Sequence, residues 1–499
     1  MSEHKKDIKR FFKHSYVYAV GNIINRLGAF LLLPVYTNYL SVEEYGIIEL
    51  FYAVSAVVFG FLSMGIAHAT LRFYFEYDET KDKHEVVSTN YISSFIVSVI
   101  GVLIVAIWHK ELSQLIFSSQ AYSAGVLLIL GTIVFELSSQ ICLAYVRAVE
   151  KSVFFVYIAV AKLLIQVSVN VYLVIYAHQG VVGVLTGNFI AVLSGWIILS
   201  IFTLKDCGFS VSFKKLFPIL HYSFPFLLGT FSEIITTNVD KFSLNYLDSI
   251  GAVGIYMLAI KFSMVIEQLI GEPFSRSYGS FRFSIMKQEN APIIQAKIVR
   301  YLFYVAIFCA LGMSLYITEL LKIMSDKSYW PAAQIVPIVV LASVIKIMNY
   351  PLQTGVLYAK KTRFFFYIGL VAAAVSVSAN LSLIPVYGVY GAALAMILTD
   401  ATMTLSMHIV AQKYFHVVYE YKKILAVFML SVLIFGLTFI LPEMNIFMSI
   451  VAKTCLLVLF VYFLFFRRYL LNEEEVEFIL RFVPFYKYKP ATNANQEQV

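Results

Sequence analysis

The sequence contains a succession of long apolar windows, each close to the length that a helix needs to cross a bilayer. A helical residue rises about 1.5 Å, so a hydrocarbon layer of roughly 30 Å requires about 20 mostly apolar residues. The first window is 15–39, the seventh is 216–242 and the last is 446–466. This pattern predicts an all-α membrane protein with about 14 transmembrane helices.

Composition agrees with that fold and argues against several kinds of protein. Hydrophobic residues make up 60% of the chain and charged residues 14%, against roughly 25% charged residues in soluble domains. The four cysteines are scattered without metal-ligand spacing, and the sequence has neither a Walker A phosphate loop nor a zinc-binding HExxH motif. We therefore expect no metal, no cofactor and no ATP hydrolysis, and a protein that is not an enzyme.

Lysine and arginine are concentrated on one side of the predicted spans. The loop after the eighth span contains Arg276, Arg282 and Lys287, whereas the turns assigned to the opposite side contain few cations, namely Lys110, Lys322 and Lys327. Positive residues accumulate on the cytoplasmic side of a membrane. An even number of spans then predicts that both termini are cytoplasmic. The net charge of +8 reflects this topology, and we expect no nucleic acid partner.

Sequence anchors in the first half recur in the second half at a nearly constant offset. Gly46 corresponds to Gly254 and Gly180 to Gly388, and both offsets are 208 residues. Duplicated halves are common in transporters, and six spans per copy would make the copies parallel. The predicted units are a cytoplasmic segment 1–14, an N-lobe 15–210, a C-lobe 211–420, two further spans in 421–470 and a cytoplasmic tail 471–499.

A distinctive pattern surrounds two of the predicted external turns and the spans next to them. Its residues are Leu33, Pro34, Tyr39, Leu40, Glu44, Tyr45, Gly46, Asp240, Val253, Gly254, Ile255, Tyr256, Ala259 and Lys261. The pattern resembles the polysaccharide exporters, or oligosaccharide flippases, of the multidrug/oligolipidyl-lipid/polysaccharide (MOP) superfamily. The similarity in layout covers essentially the whole chain.

The resemblance implies a fold and a function. The implied fold has two six-helix lobes around a central cavity that opens alternately to the two sides. The implied activity moves an undecaprenyl-diphosphate-linked saccharide from the cytoplasmic to the periplasmic leaflet, as in the biosynthesis of lipopolysaccharide O-antigen. The implied partners are that lipid-linked oligosaccharide, membrane lipid, and the polymerase and glycosyltransferases of the same glycan.

Polar residues within the spans are the candidate substrate ligands, because an ionisable group at the bilayer centre costs at least about 2.5–3.5 kcal/mol unless it faces protein or water. In the first span Asn22 and Arg26 share a helical face. A guanidinium there would bind a diphosphate through two parallel hydrogen bonds, and an ion pair with Glu233 is the alternative. The other candidates are Lys162, Lys346 and an eighth-span stripe of Lys261, Gln268 and Glu272. Snorkelling to the interface is the alternative for the lysines.

Intramembrane acids are the candidates for coupling to a proton or a sodium ion. They are Glu233, Asp240, Glu267 and Asp400. Glu233 and Asp240 are seven residues apart and so lie on one face of the seventh span. Burial disfavours the charged form of a carboxyl group, which makes such acids suitable carriers. A structural pair of Asp240 with the adjacent Lys241 is the alternative.

Three other functions are compatible with parts of this pattern. A multidrug or cation antiporter of the same superfamily would share the topology but should have an acidic cavity, whereas Arg26, Lys162, Lys261 and Lys346 favour an anionic ligand. A peptidoglycan lipid-precursor flippase is a second alternative. An integral-membrane glycan polymerase would need a sizeable external loop, and all the predicted external turns are short.

Overall fold

A computed structural model describes residues 17, 21, 24, 28, 30–286, 288–442, 444–466 and 470, and within them the chain is helical and contains no β-strand. The helices are α1 Leu33–Tyr39, α2 Val42–Ser63, α3 Ile66–Glu76, α4 Thr80–Ile107, α5 His109–Phe117, α6 Ser123–Ala148, α7 Ser152–Val171, α8 Gly180–Cys207, α9 Phe213–Leu247, α10 Ile250–Ile266, α11 Glu272–Ile285, α12 Ala291–Met324, α13 Ala332–Leu352, α14 Thr354–Tyr358, α15 Arg363–Tyr387, α16 Val389–Gln412, α17 Tyr421–Leu437 and α18 Ile446–Phe466.

Twelve helical stretches of the described chain are long and apolar enough to cross a membrane. The predicted seventh span, 216–242, lies within the 35-residue helix α9, which is not among the twelve. Most of the predicted first span lies outside the described residues, and α1 is its final part. Among the twelve, the span that contains α13 is the most buried and α18 the least, so α13 is central and α18 peripheral. The predicted all-α membrane fold is confirmed.

The ends of the helices follow from local sequence. Ser41 caps α2 through a capping box, in which its hydroxyl accepts a hydrogen bond from the amide of Glu44 and the Glu44 carboxylate accepts one from the Ser41 amide. Ser249 caps α10 by accepting from the amide of Ala252. These caps fix where the two helices begin, on the side predicted to be external.

Two corresponding glycines occupy the same setting in the two halves of the chain. Gly180, at the start of α8, has φ +52° and lies against Glu44, whereas Gly388, just before α16, has φ +53° and lies against Asp248. In both places a Cβ atom would lie 2.7 Å from a carboxylate oxygen of the acid. A left-handed conformation next to a close neighbour requires glycine. The same structural requirement therefore explains both of these repeated glycines.

Helices α2 and α10 cross at close range through another pair of corresponding glycines. A Cβ atom on Gly46 would lie 2.1 Å from the carbonyl oxygen of Ile250, and one on Gly254 would lie 2.3 Å from that of Val42. The absence of side chains therefore lets the two backbones touch near the predicted external ends of the helices. The crossing joins an element of the predicted N-lobe to one of the predicted C-lobe.

The long helix α9 contacts both predicted lobes. Near its start, the Lys215 ammonium lies 2.7 Å from a carboxylate oxygen of Asp82 and 2.6 Å from one of Glu85, at the beginning of α4. Farther along, Ser232 packs against Gly369 of α15. The domain boundaries given above stay predictions, and α9 is the element that lies across the boundary at 211.

The glycine crossing generates a prediction about stability. Gly46→Ala should lower the thermal midpoint of the detergent-purified protein, because the new methyl group would overlap a backbone oxygen that cannot rotate away, and overpacking of this kind costs about 1–3 kcal/mol. Gly436→Ala on α17 is the matched control, since outside its own helix turn no atom of the described residues lies within 4 Å of the position of its Cβ. Equal thermal midpoints for the two variants would contradict the close crossing.

Candidate functional site

An ion pair connects α2 to α10 within the helix bundle. The Oε1 atom of Glu49 lies 2.9 Å from Nζ of Lys261. Glu49 is 3% exposed, whereas the Lys261 side chain is 27% exposed. Lys261 was predicted as a ligand, but Glu49 was not among the candidate acids. The sequence does indicate that Glu49 has a partner, because an unpaired carboxylate inside an apolar window is energetically costly.

A cavity of about 340 Å³ lies between α2, α6, α7 and α8, all in the first half of the chain. Its polar lining residues are Tyr52, Ser55, Thr132, Glu136, Lys162 and Asn188. Lys162 and Glu136 are half-buried, and within the described part of the chain neither forms an ion pair. The predicted ligand Lys162 therefore has its charge available to whatever occupies this space.

A second group of charges lies in the other half of the chain. Lys346 of α13 places its Nζ 3.0 Å from a carboxylate oxygen of Glu267, and the Tyr350 hydroxyl donates to the other oxygen at 3.2 Å. Asp400 of α16 is close enough to Lys346 and Glu267 to interact electrostatically with both. Its Oδ2 atom is buried and accepts no hydrogen bond from the described residues. The structure thus brings together three of the predicted residues, one cation and two acids.

Asp240 and Glu233 differ in their surroundings although both belong to α9. Asp240 is 8% exposed and accepts hydrogen bonds at 2.8 Å from the Tyr256 hydroxyl and from the Lys241 amide. The Lys241 ammonium instead donates to the side chain of Asn238, at 2.9 Å. Glu233 is exposed. The seven-residue spacing therefore does not bring the two carboxylates into one site, and Asp240 is bonded to a tyrosine, not to the Lys241 side chain.

The predicted stripe of Lys261, Gln268 and Glu272 is interrupted by a π-helical turn. This turn, Glu267–Gly271, follows α10 and winds more slowly than an α-helix. Residues beyond it are rotated away from the positions that a spacing of 100° per residue predicts. Lys261 pairs with Glu49, Gln268 is half-buried within the turn, and Glu272 pairs with Arg276 at 3.3 Å. The three side chains have separate environments.

Two predicted ligands, Asn22 and Arg26, lie outside the described residues. Nearby positions of the first span are described and contact α7, because Gly28 faces Leu163 and Gln166. Within the described residues, no group of three or more His, Cys, Asp or Glu side chains is arranged to hold a metal ion.

Further ion pairs attach the last two helices to α12. Both carboxylate oxygens of Glu319 accept hydrogen bonds from the Lys453 ammonium, at 2.6 and 2.7 Å, and the two side chains are 7% and 12% exposed. At the other end of α12, the nearly inaccessible Arg300 pairs with Glu420. Neither Lys453 nor Glu319 was among the sequence candidates. Because the two charges of each pair neutralise each other, we do not count these pairs as candidate ligand sites.

The difference between the closed and the accessible pairs generates a prediction. Lys453→Ala should strongly reduce the amount of folded protein, because removing one partner of a buried pair costs about 3–5 kcal/mol, and Glu319→Ala/Lys453→Ala should recover most of it. Arg276→Ala is the matched comparison and should accumulate nearly normally, since the Arg276 side chain, which pairs with Glu272, is 58% exposed. Fluorescence-detected size-exclusion chromatography measures all three variants. Normal accumulation of Lys453→Ala would show that the α12 pair is not structural.

Solved structures with the same fold include transporters of the MOP superfamily. The chain is similar to the lipid II flippase MurJ in an inward closed conformation, with a TM-score of 0.73, 14% identity and coverage of 90% of this chain and 99% of that one. It is also similar to an inward-facing multidrug resistance MATE family transporter of the MOP superfamily, with a TM-score of 0.63, 13% identity and coverage of 78% and 94%. At these identities the likeness establishes the fold alone.

The amino-acid sequence itself matches a protein family. No curated protein matches the chain. The profile of the family described as "Polysaccharide biosynthesis protein" matches residues 11–278, which is more than half of the 499 residues. This match agrees with the resemblance found in the sequence and with the MOP-type fold. The chain therefore belongs to the polysaccharide biosynthesis protein family.

Proposed function

We propose that this protein is a flippase that moves an undecaprenyl-diphosphate-linked oligosaccharide from the cytoplasmic to the periplasmic leaflet of a bacterial inner membrane. In this proposal it is a transporter and not an enzyme, both termini are cytoplasmic, and its product serves surface polysaccharide biosynthesis. The family match supports the saccharide, and the MOP-type fold supports alternating access.

The observation that carries the proposal is the position of Lys162. A lysine at membrane depth that forms no ion pair with the described residues, on a cavity of about 340 Å³, provides a positive charge where an anionic headgroup can reach it. Two phosphate groups that crossed hydrocarbon unaided would meet a larger penalty than a single buried charge does. When their glutamate partners release them, Lys261 and Lys346 would contribute positive charge to the same transport path. Asn22 and Arg26 remain candidate ligands from the sequence.

Coupling to an ion gradient is the second part of the proposal. Asp400 has a buried carboxylate oxygen that accepts no hydrogen bond from the described residues, and it interacts with Asp240, Glu267 and Lys346. A proton or sodium ion bound there would reduce the repulsion among the three acids. Glu233, which is exposed on α9, would instead face water along the transport path.

We also propose that the polymerase and glycosyltransferases of the same glycan associate with the flippase.

The main alternative is a multidrug or cation antiporter. The acids in the second half of the chain support this alternative. The similarity to a MATE transporter is compatible with it, since the fold is shared. A peptidoglycan lipid-precursor flippase is compatible with the similarity to MurJ. The cation Lys162, which lines the cavity together with Glu136, and the cation Lys261 between the halves support an anionic lipid-linked substrate over a cationic drug.

A matched series at one position tests the proposal. Lys162→Gln should reduce export of the surface glycan at least about tenfold, Lys162→Arg should retain most of it, and the external control Lys327→Gln should change nothing, because a charge on the cavity is what matters. Export is measured as surface glycan per unit of membrane-inserted protein. Normal export by Lys162→Gln would contradict the proposal. Loss of resistance to a cationic dye with unchanged glycan would favour the antiporter.

A further inference from the structure

Glu49 is a buried acid whose single cation among the described residues is Lys261. It lies on α2, one helical turn beyond Gly46, and Lys261 lies about two turns beyond Gly254 on α10. The ion pair is therefore deeper in the membrane than the glycine crossing and connects the same two helices. It reinforces the contact between the two halves from its inner side.

The external side of this contact is closed by further bonds between the two halves. The hydroxyl of the fully buried Tyr329 donates to the carbonyl oxygens of Leu40 and Ser41, at 3.1 and 2.9 Å. The Thr37 hydroxyl donates to the carbonyl oxygen of Met324 at 3.0 Å. The Glu49–Lys261 pair thus lies on the inner side of these contacts, which close the predicted external face.

The two partners of the ion pair differ in accessibility. The side chain of Glu49 is 4% exposed and that of Lys261 is 27% exposed. A competing anion can reach the lysine, whereas no second cation of the described chain reaches the glutamate. If an anion takes the lysine, Glu49 is left charged, buried and without a counter-ion, which is unfavourable until water reaches it. Water reaches it when α2 and α10 separate.

We propose that Glu49 is a gating residue, the internal counter-ion that holds Lys261 and the external closure in place until the diphosphate of the substrate displaces it. Binding of the anion on the inner side then favours opening on the outer side, which links recognition to alternating access. This proposal rests on the proposed function for the identity of the anion. The role of Glu49 in closing the external face depends on this chain's own contacts.

The first test measures access from outside. In a variant in which Cys142, Cys207, Cys309 and Cys455 are replaced, Ser55→Cys places a thiol on α2 about two turns deeper than Glu49, where Ser55 lines the cavity of the first half of the chain. A membrane-impermeant maleimide applied to the external side should label it slowly. Adding Glu49→Gln should raise the labelling rate at least about threefold, and adding Glu49→Lys/Lys261→Glu should restore slow labelling, because the reversed pair again joins the helices.

Glu111→Gln on the exposed part of α5 is the control and should leave the rate unchanged. Equal labelling rates for wild type and Glu49→Gln would overturn the proposal. If Glu49→Gln does not accumulate in the membrane, Glu49→Asp replaces it. The shorter side chain withdraws the carboxylate from the lysine and must also raise the rate, and failure to do so would overturn the proposal equally.

The second test measures competition for the lysine. Geranyl diphosphate serves as a soluble prenyl diphosphate probe for the purified protein. Glu49→Gln should bind it at least about threefold more tightly than wild type, and Lys261→Gln should bind it more weakly. Unchanged affinity in Glu49→Gln would overturn the exchange of counter-ions. Export by the Lys162 variants is independent of Glu49, so failure of this proposal and failure of the proposed function give different patterns.

Discussion

The backbones of α2 and α10 touch at Gly46 and Gly254, and much of the arrangement follows from that contact. A side chain at either position would force the helices apart. With the backbones in contact, Glu49 reaches Lys261, and the turn after α12 reaches the turn before α2 through Tyr329. Because α2 and α10 belong to different halves of the chain, these contacts join the two halves.

The charged side chains inside the bundle are of two kinds, which differ in how exposed they are. The pairs of Glu319 with Lys453 and of Arg300 with Glu420 include an almost inaccessible partner and attach peripheral helices to α12. Lys162 lies on a cavity, and Lys261 and Lys346 are partly exposed. The first kind maintains the scaffold, and we propose that the second kind exchanges partners with a substrate.

The sequence predicted the features that depend on local properties. Apolar length located the spans. The glycines that anchor the predicted repeat, Gly46, Gly254, Gly180 and Gly388, all lie at close contacts in the structure, although the sequence did not predict those contacts. Which acid forms an ion pair with which lysine could not be predicted, because residues such as Glu49 and Lys261 are far apart in the sequence. Nor could the π-helical turn after α10, which rotates Glu272 away from Lys261 although an ideal helix would align them. Asn22 and Arg26, which are candidate substrate ligands from the sequence, remain predictions.

The central claim is that the protein carries a lipid-linked saccharide between leaflets with the help of an ion gradient. The most direct measurement is the transfer of an undecaprenyl-diphosphate-linked oligosaccharide in proteoliposomes, followed as its exposure to an impermeant glycan-modifying enzyme. The account predicts transfer that requires the protein and accelerates several-fold when a proton or sodium gradient is imposed. Transfer no faster than in protein-free vesicles would contradict the flippase, and full-rate transfer without any gradient would contradict the coupling.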